Sequence, residues 1–496
     1  MKRSEAIDQL REMDAKYSCY VYCKNELAVV LGEQGQKLNR TLSSLVSAKA
    51  LVRAARGVYV FAYSSHLGEG TLHQVAKRLR SGELVWESLE SALSRWNVIS
   101  QIPVDRVTFM TTGREGEFHT PYGVIEFTHC KLSWDRILPN LIARDDGLTP
   151  LASKQWAYRD LKAVGRNLDL VDMMNWRTTM TGTDEPFKYK AMAAQIVSAE
   201  GMGNLLPVVE KELLHYRILD AMMREGFFSS LVFQGGTSLR LCHGSPRYSE
   251  DLDFAGGTSF DMDTLKGLGS CISDSRLGSG DDVTVRVKEP RPDADGLTRR
   301  WRIAIRTAGQ RKDLPSQTIK LEVASIPAYE PQHRPALVNY PMFPALSGQI
   351  ILDVESPTEI LADKLLSYAC ASHLRRRDLW DMCWLASRGD VDSRRAMELA
   401  ELKSSDYGEE GLWADRADRV AGVADVIGSD AFADEMRRFL PAGLMTSTVE
   451  SPRWSAWRSN RSGRCTALQA LHRRPMRFPD SLFSVRRTTP VQPAER

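Results

Sequence analysis

The 496-residue chain lacks long apolar runs. None reaches the ~18 residues that a bilayer span requires. The opening stretch MKRSEAIDQLREMDAKY has no apolar signal core. A cytoplasmic setting with no membrane partner is therefore expected. Paired cysteines are missing as well. The eight cysteines stand at 19, 23, 130, 242, 271, 370, 383 and 465 and form neither a CxxC pair nor a Cys/His cluster of zinc spacing. They read as small buried or half-buried side chains. There is no GxSxG elbow, and nothing in the sequence suggests a Ser/His/Asp triad. An excess of charge is absent too. Sixty-six Lys and Arg against 63 Asp and Glu leave +3, so any nucleic-acid contact must come from local basic patches. What is present is length, enough for about three domains, with an apolar content of 43% that is ordinary for a globular protein.

The first sixty residues carry helical spacing. Residues 4–16 predict an amphipathic helix with Ile7, Leu10 and Met13 on one side. Asn25–Leu31 predicts a short helix ended by Gly32, and residues 36–50 repeat Leu38, Leu42, Leu45 and Val46. Leu51–Phe61 then reads as two short strands around a turn. Helix, turn, helix and β-hairpin is the order of a winged helix-turn-helix. Its third helix would offer Lys37, Asn39, Arg40, Thr41, Ser44 and Lys49 to a DNA major groove, and Arg53 and Arg56 on the wing would reach phosphates. A helical cap with a solvated charged face is the other reading.

Residues 66–170 are mixed. Val85–Leu93 predicts a helix, Arg106–Met110 and Gly123–His129 predict strands, and Tyr158–Val171 predicts another helix. Asn175–Glu185, polar and bearing Gly and Thr before Pro186, is the expected linker. From Lys188 helical spacing returns, through Val208–Met223 to Gly226. Strands are expected at 230–234, 283–287, 302–306 and 318–324, and helices at 359–372, 377–386, 393–402 and 431–440. Residues 446–496 hold ten Arg, five Pro and three acidic residues, which predicts a basic, disordered tail.

The stretch Phe233–Phe254, FQGGTSLRLCHGSPRYSEDLDF, carries the chemistry. A Gly-Gly turn follows a strand and precedes a helix. Glycine lets phosphate approach the backbone, and the helix N-terminus supplies free N–H groups. Thr237 and Ser238 add hydroxyls. On a strand, Asp251 and Asp253 share a face. Two close carboxylates repel unless something neutralises them, and a divalent ion such as Mg²⁺ (or Mn²⁺) does so. Glu322, in the alternating strand Ile319–Val323, is the candidate third acid of a two-metal site. Lys320 shares its face and would offset phosphate charge. Arg247 reads as a partner of Glu250 or Asp251, and His243 as structural.

Strand, GG[T/S], helix, Asp-x-Asp strand and a later acid-bearing strand resemble the nucleotidyltransferase superfamily of polymerase beta. The wording GGTSLRLCHGSPRYSEDLDF is similar to the AbiEii family, toxins of type IV toxin–antitoxin systems. So are Glu359-Ile-Leu-Ala-Asp-Lys364 and Arg377-Asp-Leu-Trp-Asp381, in the same order over about residues 205–390. The first half resembles AbiEi-type antitoxins in Leu51–Tyr59, Ser88–Leu93 and Thr111–Thr128. That family usually encodes the two parts separately, and here they are joined.

The resemblance implies a multidomain α/β (α+β) chain. Its expected parts are a winged helix-turn-helix at 1–64, a mixed α/β antitoxin domain at 65–174, a linker at 175–187, a transferase domain with C-terminal helices at 188–445, and the tail. It implies NTP as substrate, Mg²⁺ on Asp251 and Asp253, Glu322 activating the attacking hydroxyl, and Gly235, Gly236, Thr237 and Ser238 around the β/γ-phosphates. Lys320 and Lys364 would offset charge as pyrophosphate leaves. Asp378 and Asp381, on one helix face, position Lys364 or the acceptor, or else pair with Arg375–Arg377. The implied partners are an RNA acceptor, foremost a tRNA 3′ end, and promoter DNA. Two alternatives stay open: a regulator with an inactive transferase scaffold, and a transferase acting on a small molecule or protein.

Overall fold

Three helices and a small antiparallel sheet open the chain: α1 (Arg3–Tyr17), β1 (Val21–Cys23), α2 (Lys24–Leu31), α3 (Gly35–Ser47), β2 (Leu51–Ala55) and β3 (Val58–Phe61). α1 buries Ala6, Leu10 and Met13, and α3 buries Leu38, Leu42 and Leu45, one apolar stripe each. α2 stops at Gly32, which takes the left-handed conformation at φ +57°. The expected hairpin β2–β3 is joined by β1 in the order β1-β3-β2. Three residues are too few for a strand period to show, so β1 escapes a reading of the sequence. The computed structural model describes residues 1–171, 193, 196, 197 and 205–451, less 69, 97, 100–105, 145–147, 275–283, 291–296, 307–316, 338, 341–349 and 416–422.

A six-stranded sheet follows, ordered β6-β7-β5-β4-β9-β8. Its elements are α4 (Gly70–Leu79), β4 (Val85–Glu87), α5 (Leu89–Arg95), β5 (Arg106–Thr111), β6 (Gly116–Thr120), β7 (Gly123–His129), α6 (Trp134–Ile137), β8 (Leu141–Ile142), β9 (Leu151–Ala152) and α7 (Lys154–Val164). Two expectations change here. The helix expected from Val85 is a strand for its first three residues, because the fully buried Trp86 packs in this unit's core, and the helix begins only at Leu89. The helix expected at Tyr158–Val171 starts at Lys154, capped by the Ser153 hydroxyl accepting from the Trp156 N–H, and ends at Gly165 with φ +72°.

The second half is built on a seven-stranded mixed sheet, ordered β12-β13-β14-β11-β10-β16-β15. α8 (Leu206–Glu225) precedes β10 (Val232–Gln234), α9 (Gly235–Cys242), β11 (Leu252–Ala255), α10 (Leu268–Asp274), β12 (Thr284–Lys288), β13 (Thr298–Arg306), β14 (Gln317–Ala324), β15 (Pro331–Pro335) and β16 (Ile351–Glu355). A helical block completes it: α11 (Pro357–Cys370), α12 (Arg376–Ala386), α13 (Ser393–Asp406), α14 (Glu410–Ala414), α15 (Val423–Ile427), α16 (Asp430–Met436) and α17 (Ala442–Ser447). That block has its own core around Trp380, Trp384, Phe432 and Leu444. Val449 belongs to the same core, so the chain from 446 to 451 is packed structure, not the start of a tail. The rest of the expected tail lies outside the described residues, as do the expected linker and the start of the helix read from Lys188.

The core does not divide between the halves. Leu10, Val30 and Phe61 belong to the same continuous cluster of buried apolar side chains as Leu213, Phe228 and Leu352. α2 packs on α8, on the 3₁₀ turn Phe227–Ser230 and on β16. Asn25 Nδ2 donates to the carbonyls of Met223 (3.3 Å) and Arg224 (3.1 Å), and Gln34 Nε2 to that of Ser229 (2.8 Å). The Arg217 guanidinium lies 4.2 Å from the Trp134 ring centroid. Residues 205–451 expressed without 1–171 are therefore expected to melt well below the full chain and to bind a hydrophobic dye. Equal melting temperatures by calorimetry would show the two halves to be independent.

Candidate active site

Strand register brings the acids together. β11 runs parallel to β14 with Asp253 opposite Glu322, and antiparallel to β10 with Gln234 opposite Asp253. β13 places Arg300 opposite Glu322. Directly opposed residues share a face, so Gln234, Asp253, Glu322 and Arg300 form one row across four strands. Asp251 stands just before β11, two residues from Asp253 and beside that row. Its carboxylate accepts the Lys320 backbone N–H at 3.2 Å and lies 3.5 Å from the Lys320 ammonium. Glu322 pairs with Arg300 at 2.5 Å. Burial pushes the Asp253 carboxyl up to about 7, with the charges of Glu322 and Asp251 adding to the effect and Lys364 opposing it.

The Gly-Gly turn fits against this row closely. Gly235 has φ +80°, and a Cβ there would sit 2.7 Å from Asp253 Oδ2. A Cβ on Gly236 would sit 2.6 Å from Arg247 Nη2 and 2.9 Å from Ser249 Oγ. Neither position admits a side chain. α9 starts at Gly235, so its first backbone N–H groups open beside the acids. The Thr237 and Ser238 hydroxyls do not face a ligand as the sequence reading had them. Both side chains are buried; Thr237 donates to the Asp251 carbonyl, and Ser238 to the Gly235 carbonyl at 2.8 Å. They lock the turn to the acidic strand and leave the backbone N–H groups at the start of α9 as the donors that the turn can offer a ligand.

Lys364 is buried between Asp378 (2.8 Å) and Asp381 (3.0 Å). Burial alone would push its pKa down, but the two carboxylates outweigh it and hold the ammonium charged. Burial likewise disfavours the Asp378 carboxylate, and Lys364 overcomes that and keeps it below its usual range. Arg247 does not pair with Glu250 or Asp251. Its guanidinium grips Asp381 with two hydrogen bonds of 2.6 Å. Glu250 instead meets Lys211 and Arg377. Arg375 approaches Asp378 only to 3.9 Å. Of the two roles read for Asp378 and Asp381, holding Lys364 is the one the distances favour. His243 is buried, its Nε2 3.0 Å from the Glu355 carbonyl oxygen, and burial lowers its pKa to about 3.

The sequence reading missed a second buried lysine. Lys403, fully buried, meets Glu355 (2.7 Å), Glu359 (3.0 Å) and Asp363 (2.8 Å). Glu359 also accepts the N–H groups of Tyr329 and Glu330. In the block Glu359–Lys364, then, the first acid fixes the fold while Lys364 faces the site. The spacing i, i+4 of Glu359 and Asp363 was the available signal. Arg300 was missed too, because its value depends on a strand pairing.

Two adjoining cavities meet at this row. One of about 350 Å³ runs from Gly235 and Asp253 to Leu366, Cys370 and Tyr407. The other, of about 410 Å³, is lined by Gly236 and Asp251 and by the cations Arg300, Lys320, Arg375 and Arg377. Asp253, Glu322, Lys364 and Asp378 line both. Among the described residues no three His, Cys, Asp or Glu side chains close into a metal cage. The donor set still fits Mg²⁺ or Mn²⁺. Such an ion keeps several waters and needs one or two carboxylates beside substrate phosphates, and Asp253, raised first by burial and then by the neighbouring acids, would gain a counter-charge from it.

In the N-terminal unit, Lys37, Arg40, Arg53 and Arg56 are exposed, whereas Thr41 and Ser44 are half-buried. Thr41 donates to Glu33 at 2.5 Å, and Ser44 accepts from Arg3 at 3.2 Å. Those two hydroxyls serve the fold. A Ser/His/Asp arrangement does occur here: Ser18 Oγ lies 3.1 Å from His66 Nε2, and His66 Nδ1 lies 3.0 Å from Asp14. The N–H groups of Ser18 and Cys19 are committed to α1 carbonyls, so they form no oxyanion hole. The trio ties α1 to the chain after β3.

Residues 217–460 match the family model described as nucleotidyl transferase AbiEii toxin, type IV TA system. A nucleotidyltransferase toxin of Mycobacterium tuberculosis H37Rv, MenT4, is 22% identical, with 57% of this chain and 92% of that one covered at a TM-score of 0.40. JHP933 from Helicobacter pylori is 20% identical over 50% and 96% of the two chains at 0.28. A putative nucleotidyltransferase from H. pylori is 21% identical over 49% and 96% at 0.28. No curated protein matches. Among the described residues no helix is long and apolar enough to cross a membrane.

Two measurements probe the site. Asp381→Ala strands Arg247 and takes one carboxylate from Lys364, so denaturation should show a loss of about 3–5 kcal/mol. Asp253 binds a proton more tightly folded (about 7) than unfolded (about 3.9), so its contribution to stability falls as pH rises between those values. Asp253→Asn removes that penalty. Its melting temperature should match wild type near pH 4 and exceed it increasingly toward pH 8.

Proposed function

We propose, with the AbiEii-type nucleotidyltransferase domain at residues 217–460 as premise, that the chain transfers a nucleoside monophosphate from an NTP to an RNA 3′ hydroxyl, foremost a tRNA end. Its N-terminal half is then a winged helix-turn-helix, antitoxin-like module that binds the promoter DNA of its own operon. The limits 1–64, 65–174 and 188–451 belong to this reading. The observation that carries the transferase reading is the row Asp253–Glu322, set in register beside the Gly235-Gly236 turn.

The triphosphate would lie on the backbone N–H groups at the start of α9, in the cation-lined cavity. Asp251 and Asp253 would hold Mg²⁺ or Mn²⁺, which when bound neutralises phosphate charge and polarises the α-phosphorus. Glu322 accepts the proton of the attacking hydroxyl. A new bond forms from that oxygen to the α-phosphorus, the bond to the β-phosphate oxygen breaks, and pyrophosphate leaves. Two of the three Lys364 N–H groups have carboxylate partners, and the third is left for the departing phosphate. Arg300 and Lys320, paired with Glu322 and Asp251, would turn to the phosphates once the acids are neutralised. Such transfer depends on positioning and charge more than on covalent chemistry. In the N-terminal half, exposed Arg40 on α3 and exposed Arg53 and Arg56 on the hairpin support the DNA reading.

The test is transfer of each of the four labelled NTPs to total RNA by the full chain. One or more should label RNA in the presence of Mg²⁺, and Asp251→Ala and Asp253→Ala should each lower the rate on the order of 10²–10³-fold. Labelling of protein or small molecules alone would sink the RNA acceptor while leaving the transferase. The full chain should also retard promoter DNA, less so at high salt, and Arg40→Ala with Arg56→Ala should weaken that. Unchanged retardation would sink the DNA-binding role.

A further inference from the structure

A third cavity, of about 210 Å³, lies at the junction of the two halves and shares no lining residue with the candidate active site. Its walls are the first turn of α2, the end of α4 and the end of α8. Four of its side chains are cationic, Lys24, Lys77, Arg78 and Arg224, against the single carboxylate of Glu26. Arg78 is only 8% exposed. Its Nη1 donates to Gln74 at 3.1 Å, but its buried Nε and Nη2 have no hydrogen-bond acceptor. The nearest carboxylate oxygen, on Glu26, is 3.6 Å from Nε, beyond hydrogen-bonding reach. That oxygen is already committed to the Cys23 N–H at 2.5 Å. Burial pushes the Glu26 pKa up and the Arg78 charge pulls it back, so the two make a loose ion pair and not a hydrogen-bonded one. On the opposite wall Arg224 is 3.4 Å from Asp220, and its guanidinium lies so close to Gly82 that a Cβ there would stand 2.4 Å from Nε. Glycine at 82 is what lets that arginine stay.

We propose that this junction cavity binds a phosphoryl oxyanion. A tetrahedral phosphate presents several acceptor oxygens to the planar guanidinium of Arg78 and to the Lys24 and Lys77 ammonium groups, and the N-terminal end of α2 adds a favourable field. It would give the Arg78 Nε–H and Nη2–H the acceptors that the protein does not supply. Because α2 belongs to one half and α8 to the other, an anion held there strengthens the joint. The phosphate could be free in solution or part of a nucleic-acid backbone, and the experiment separates the two.

The full chain is titrated with inorganic phosphate at constant ionic strength, following its melting temperature and hydrogen exchange at residues 23–26, 77–82 and 220–226. A saturable rise in melting temperature with slowed exchange at those segments is expected. It should persist in Lys320→Ala, which alters the catalytic mouth, and disappear in Lys24→Ala/Lys77→Ala, whose substituted side chains are not fully buried. A phosphate effect that survives the double substitution, or that vanishes with Lys320→Ala, overturns the proposal. So does the absence of any saturable effect. In a second arm the chain is bound to a short DNA duplex. Phosphate competition in wild type but not in Lys24→Ala/Lys77→Ala assigns the site to backbone phosphates, whereas DNA binding indifferent to phosphate assigns it to the free anion.

Discussion

Negative charge crowded onto adjacent strands is the constraint around which the transferase half is arranged. Asp253 and Glu322 occupy paired positions on β11 and β14, and neighbouring strands lie about 4.8 Å apart. At that spacing two charges repel by roughly 3 kcal/mol in a protein-like medium. The fold holds them together with cations on every side: Arg300 on Glu322, Lys320 on Asp251, and Lys364 below. Burial, and after it the charges of Glu322 and Asp251, still push the Asp253 carboxyl up to about 7. A site that strains against its own charge in this way is suited to a ligand that brings positive charge to the acids and negative charge to the surrounding cations. A metal-bound triphosphate does both.

α11 is the part that transmits this arrangement to the helical block. One of its faces delivers Lys364 to Asp378 and Asp381 on α12, and another delivers Glu359 and Asp363 to Lys403 on α13. Two buried lysines thus clamp one helix from two directions, and Arg247 ties the chain between α9 and β11 to the same network through Asp381. Buried charges are costly unless fully partnered, and here each ammonium has at least two carboxylates. Lys364, which lines the cavities beside the acids, is held by the same kind of interaction that holds the fold, so its position tolerates little change.

The two halves share one apolar core, yet among the described residues none that lines the two cavities at the acidic row comes from 1–171. Among the described residues, the N-terminal half therefore supports the second half without lining the candidate site. α2 lies between α1 and α3 in the N-terminal unit, and it is also the surface that meets α8 and β16. Any ligand that reaches the first turn of α2 reaches the joint as well.

Local signals were enough for much of this. Apolar spacing placed α1, α3, α8, α11 and α12, Gly32 and Gly226 marked helix ends, and the block from Gly235 to Asp253 announced a strand, a glycine turn and paired acids. These features are legible because they act over a few residues, where side-chain periodicity and backbone freedom are properties of the sequence itself. Tertiary structure alone decided the rest. That Glu322 stands beside Asp253, that Arg300 covers it, that Arg247 chooses Asp381 134 residues away, and that Thr237 and Ser238 face inward all depend on which strands pair and which helices pack. So does the division of labour in Glu359–Lys364, whose acids hold Lys403 while Lys364 lines the site. Charge pairing of that kind is fixed by distance in space, and no window along the chain contains it.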